Sequence, residues 1–308
     1  MDAAAERIVG HVRHTPLLDL DAGELGLDPS VGVVTAKLEQ LQPTGSFKVR
    51  GATSLLTALD VPASGVVAAS GGNFGLAIAW AARRLGHRAT VVVPSTSPVE
   101  KIEPIRELHA TVVVVDGYYA AAAEEAQRQV ADTGAVAAHA YDQHEVVAGQ
   151  GTVMRELLAD AELDTVLVAC GGGGLLAGAV AAAAGNVRVV AVETEGTPAL
   201  HAAVAAGQPV DVEVSGIAAS SLGARRIGNH AWAVRDRIAA LALVDDTAVR
   251  DAQSRLWRAA RIVAEPAGAV GLAALSSGVY RPEPGERVGI IVCGANTDPG
   301  SVVAPLTG

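Results

Sequence analysis

The chain has 308 residues and a formal charge of −10; half of its residues are hydrophobic, yet only 3% are aromatic. That length exceeds what one hydrophobic core usually takes, so two domains are expected, with cores of Ala, Val, Leu and Ile. An acidic surface disfavours nucleic acid and anionic membranes as partners and suits a soluble cytoplasmic protein.

Short apolar runs alternate with Ala-rich stretches along the chain. In chain order the pattern predicts strands at residues 33–37 and 65–69, a helix at 74–85, a strand at 90–93 and a helix at 98–108. It continues with a strand at 111–115, helices at 118–132 and 146–159, and strands at 165–169, 188–192 and 288–292. Nearly continuous Val/Ile/Leu/Ala runs indicate strands covered on both faces, hence mainly parallel sheets in an α/β fold. The run 166–187 carries no charge and meets the length rule for a membrane helix. Four consecutive glycines interrupt it, so a strand, a glycine turn and an Ala-rich helix are predicted instead. Residues 1–7 lack the features of a signal peptide, and two cysteines, Cys170 and Cys293, make neither a disulfide framework nor a metal pair.

Ligands of such sheets bind beyond the carboxyl ends of strands. Three glycine-rich turns follow predicted strands: Ser70-Gly71-Gly72-Asn73-Phe74-Gly75, Cys170-Gly171-Gly172-Gly173-Gly174-Leu175 and Cys293-Gly294-Ala295-Asn296. In the second, backbone N–H groups and the helix N-terminus suit a phosphate without any Lys or Arg. The run Gly172–Ala177 also fits GxGxxA, with Glu193 at the end of the next strand, so a nicotinamide-dependent oxidoreductase is a rival reading. The first turn suits a carboxylate, although an ordinary N-cap by Ser70 or Asn73 explains it as well. Lys48 follows Pro43-Thr44-Gly45 and Phe47 at the start of a helix. A lysine there, among apolar neighbours, is expected to have the depressed pKa that an imine-forming amine needs.

At Lys48 the sequence resembles the fold type II pyridoxal 5′-phosphate (PLP) enzymes, and within them the serine/threonine dehydratases. The motifs are His14-Thr15-Pro16-Leu17-Leu18, the Lys48 segment, the Asn73 turn, Gly149-Gln150-Gly151-Thr152, the tetraglycine turn, Glu265-Pro266-Ala267-Gly268-Ala269 and the Cys293 turn. The resemblance implies two open, mostly parallel sheets flanked by helices, in two domains with PLP between them. The large domain would comprise residues 1–50 and 142–308, and the small domain residues 51–141 with the Asn73 turn. Lys48 would hold PLP as a Schiff base and act as the Cα base. Phe47 would lie on the ring, Asn73 would bond the 3′-oxygen, and Gly171, Gly172, Gly173, Gly174 and Leu175 would cradle the phosphate. Ser70, Gly71 and Asn73 would grip the substrate carboxylate, with Phe74 beside the substrate. Cys293 would face the pyridine nitrogen as a neutral partner, which favours expelling a β-hydroxyl over storing charge in the ring.

Among relatives, racemases carry a second acid/base, a serine, where this chain has Gly71. Cysteine synthases have an Asp at the position of Val49. The Cys293 turn and Ser221-Leu222-Gly223-Ala224 resemble liver-type serine dehydratases most. Family-based expectations are therefore elimination from L-serine or L-threonine, a small amino-acid substrate, a homodimer and a monovalent cation such as K+ at Glu193. Serine racemisation and dehydration of another 3-hydroxy amino acid, such as 3-hydroxyaspartate, are the alternatives.

Overall fold

The computed structural model describes residues 1–303. It contains two compact units, Met1–Arg13 with Gln42–Gln150, and His14–Leu41 with the chain from Gly151 onward.

The first unit is built on a four-stranded parallel sheet in the order Thr111–Val115, Ala89–Pro94, Val66–Ala69, Val136–Ala138. Period-two alternation sends successive side chains to opposite faces. Val66, Ala68, Val91 and Val93 thus pack with the helices Lys48–Ala58, Asn73–Leu85 and Val99–Glu107, while Val67 and Val92 pack with Ala122 and Ala126 of Tyr119–Thr133. Both faces are covered, as the uninterrupted apolar runs predicted.

The second unit holds a six-stranded sheet in the order Leu17–Asp21, Val33–Lys37, Val288–Ile291, Thr165–Ala169, Arg188–Thr194, Ala240–Val244. Only Leu17–Asp21 runs antiparallel, at one edge. Thr165–Ala169 is buried along its whole length, and the helix Pro266–Ser276 is buried over nearly all of its own. The uncharged run near 166–187 is the strand Thr165–Ala169 followed by the helix Gly174–Ala183, and among the described residues no helix is long and apolar enough to cross a membrane.

The division expected at 50/51 and 141/142 differs from these units. Residues 1–13 and 42–50 belong with the Asn73 turn. The reason is packing: Val49, Ala52, Leu55 and Leu56 form one buried cluster with Phe74, Ala77, Ile78 and Val146. The helices that begin at Lys48 and at Asn73 therefore share a core, whereas the sequence reading placed Lys48 and Asn73 in different domains.

Candidate active site

Lys48 opens the helix Lys48–Ala58, directly after Phe47. Its half-buried amine lies 5.0 Å from the Phe47 ring centroid and 5.9 Å from that of Phe74. Nζ donates to the carbonyl of Ala140 at 2.9 Å. That carbonyl is presented by a loop tied down locally. His139 Nδ1 accepts the N–H of Asp142 at 3.0 Å, and Gln143 Oε1 accepts the N–H of His139 at 2.9 Å. Sequence reasoning missed Ala140, because a main-chain acceptor leaves no residue-type signature.

The chain has three lysines, Lys37, Lys48 and Lys101. Lys37 is fully buried and committed to Glu156 at 2.8 Å and to the Thr15 carbonyl at 2.7 Å. Such a buried pair resists losing either member, so Lys37 is structural. Lys101 lies in the first turn of Val99–Glu107. Lys48 alone sits against aromatic rings, which leaves it as the candidate nucleophile.

The Ser70–Asn73 turn is in the same unit. The helix Asn73–Leu85 has Gly72 as its N-cap and no side-chain cap. The N-cap role considered for Ser70 or Asn73 is therefore not taken up; Ser70 Oγ only accepts from Gly72 N–H at 3.4 Å. Uncapped first-turn N–H groups are available to an anion. Phe74, expected beside the substrate, is 2% exposed within the hydrophobic cluster, its ring facing the Lys48 amine.

In the second unit the tetraglycine turn leads from Thr165–Ala169 into Gly174–Ala183. Gly173 is the N-cap at φ +86°, and the first backbone bond that closes the helix runs from Ala177 N–H to Gly173 C=O. The N–H groups of Gly174, Leu175 and Leu176 thus have no intrahelical acceptor. Leu222 of the Ser221 stretch covers Gly171 with its backbone, and Ser221 Oγ accepts from Ala267 N–H at 3.2 Å. Cys293, 1% exposed, follows the strand Val288–Ile291 as a buried thiol.

Glu193 is 1% exposed, and its two oxygens accept the N–H groups of Leu200 at 2.7 Å and His201 at 2.8 Å. It caps the helix Ala199–Ala206 from the strand below. A carboxylate so engaged is not a ribose-binding acid, which removes the structural half of the dinucleotide reading. Among the described residues no group of three or more His, Cys, Asp or Glu is placed to hold a metal. Burial lifts the Glu193 pKa to about 7, against the pull of the two N–H groups. A carboxyl whose folded pKa exceeds its unfolded value of about 4.3 binds its proton more tightly when folded, so the stability it contributes is present at acid pH and lost as pH rises from about 4 to 7. The thermal midpoint of the wild type, measured against that of Glu193→Gln, is expected to fall between pH 5 and 7.5. A difference that stays flat across this range would show that the carboxyl titrates normally.

Each unit by itself carries groups that suit a phosphorylated carbonyl cofactor: in the first, an amine held against aromatic rings; in the second, a glycine turn offering backbone donors without side-chain charge, and a buried thiol. Mainly parallel sheets with such groups at their carboxyl ends have the make-up of a fold type II enzyme. The family model for pyridoxal-phosphate dependent enzymes matches residues 8–294, and the chain belongs to that family. That closes the nicotinamide reading.

A serine racemase of Oryza sativa subsp. indica is 34% identical, with 96% of this chain and 90% of the relative covered. An L-threonine ammonia-lyase of Thermotoga maritima is 35% identical, over 87% of this chain and 68% of the relative. The structure of maize serine racemase superposes with a TM-score of 0.90 at 33% identity, covering 98% of this chain and 94% of that one.

Proposed function

We propose that this enzyme catalyses α,β-elimination from L-serine or L-threonine, giving a 2-oxo acid and ammonia. The observation that carries the proposal is the Lys48 amine, the one lysine held against aromatic rings and beside an uncapped helix start. When bound, PLP supplies the sink for the electron pair left at the substrate Cα.

Lys48 would anchor the cofactor and would serve as the general base that takes the substrate Cα proton. Phe47 and Phe74 shield the amine from water. The Ser70–Asn73 turn would receive the substrate carboxylate, and Asn73 would bond the cofactor 3′-oxygen. Gly171–Gly174 and Leu175 would hold the phosphate through N–H groups, and Cys293 would be the neutral partner of the ring nitrogen. The same reading includes a homodimer in the cytoplasm. A K+ ion at Glu193 would share a carboxylate whose oxygens each already accept a helix N–H.

The test is the formation of 2-oxo acid from L-serine, L-threonine and 3-hydroxyaspartate; no product from any of them sinks the proposal. Racemisation is the second reading, favoured by the rice and maize relatives, and chiral analysis of unreacted serine separates it from elimination.

A further inference from the structure

The strands Val66–Ala69 and Ala89–Pro94 are parallel neighbours, so the turns that follow them emerge at the same edge of the sheet. A Cβ on Gly71 would lie 2.5 Å from Ser97 Oγ and 3.1 Å from Ser97 Cβ. Ser97, on the second turn, therefore fills the space that a side chain at position 71 would occupy. Its backbone is pinned by its N–H bond to the Pro94 carbonyl at 2.9 Å. Its hydroxyl is half-buried and makes no hydrogen bond to protein among the described residues.

The Ser70–Asn73 turn offers backbone N–H groups to an anion, and the Ser97 hydroxyl reaches that turn from outside it. Backbone donors plus one O–H make a fuller set for a carboxylate than N–H groups alone. We propose that Ser97 is a substrate-binding residue, its O–H donating to the carboxylate of the amino-acid substrate in place of the side chain that Gly71 lacks. This rests on the amino-acid substrate proposed above. Positions 71 and 97 are then alternatives: the space beside Gly71 takes one side chain, and here it is that of Ser97.

The test titrates the PLP-loaded enzyme with L-alanine, which has no β-leaving group, and follows cofactor absorbance for wild type, Ser97→Ala, Gly71→Ser and the double variant. Ser97→Ala is expected to raise the Kd about tenfold, as for one lost hydrogen bond to a charged group. Gly71→Ser crowds Ser97 and is expected to lower the thermal midpoint and weaken binding. The double variant, with one hydroxyl again, is expected to recover the midpoint and to return the Kd to within about threefold of wild type. Unchanged L-alanine binding by Ser97→Ala overturns this assignment alone, as does a double variant no better than Gly71→Ser. A wild type that binds no amino acid overturns the substrate reading and this assignment with it.

Discussion

Lys48→Ala is expected to purify colourless and to form 2-oxo acid at least about 10³-fold more slowly than the yellow wild type. A positioned acid/base group contributes roughly 10²–10⁴-fold, and here the same amine is also the covalent anchor. No other lysine can stand in: Lys37 is locked to Glu156 and the Thr15 carbonyl inside the second unit's core. The fold should survive, because the helix is held by the buried Val49, Ala52, Leu55 and Leu56. Lys48→Arg keeps the charge but cannot form an imine, and should be equally colourless. Visible absorbance together with the 2-oxo acid assay checks both variants; a yellow Lys48→Ala would place the cofactor on another amine.

Gly173→Ala is expected to destabilise the protein by about 3 kcal/mol and to weaken cofactor retention. Gly173 sits at φ +86°, where an L-residue costs roughly 1–2 kcal/mol. Its added Cβ would overlap the Ala231 methyl and lie 2.8 Å from Ile227 Cδ1, an overpacking worth about 1–3 kcal/mol. At about 3 °C per kcal/mol for a unit of this size, the thermal midpoint should fall by roughly 10 °C. Easing the clash by backbone movement shifts the N–H groups that open Gly174–Ala183, so PLP should dissociate more readily during dialysis. Gly173→Ala/Ala231→Gly should recover the packing part and leave the backbone strain. A single variant with wild-type midpoint would show that the turn has slack.

The turn also shows why function and packing cannot be read apart from glycine counts. Four glycines in a row suggest a ligand cradle, yet Gly173 is required by its φ and by Ala231 whatever binds there. The phosphate argument rests on the uncapped helix start. Ser70–Asn73 shows the reverse. Its residues read equally well as an N-cap, and only the structure shows Gly72 at the cap with no side-chain cap bond.

By itself the sequence determined what local periodicity and local chemistry encode. The strands Val33–Lys37, Thr111–Val115 and Thr165–Ala169 lie where their apolar runs predicted, and most other elements shifted by only one or two residues at their ends. Edge or short strands such as Leu17–Asp21 and Val136–Ala138 left no comparable signal, because half-exposed segments lack an unbroken apolar run. Lys48, the Asn73 turn, the tetraglycine turn and Cys293 stood out because each is a short motif tied to the end of a predicted strand or the start of a helix. What only the tertiary structure decided were contacts between residues far apart in the chain. Lys48 meets a carbonyl 92 residues away, and its helix packs with the Asn73 unit. Glu193 turns from a ribose candidate into the cap of a helix, and Ser97 fills the gap left by Gly71. Hydrophobic pattern and turn chemistry act within a few residues of chain. Which turns end up side by side is set by strand order and core packing, and that order is where Lys48 gained its surroundings.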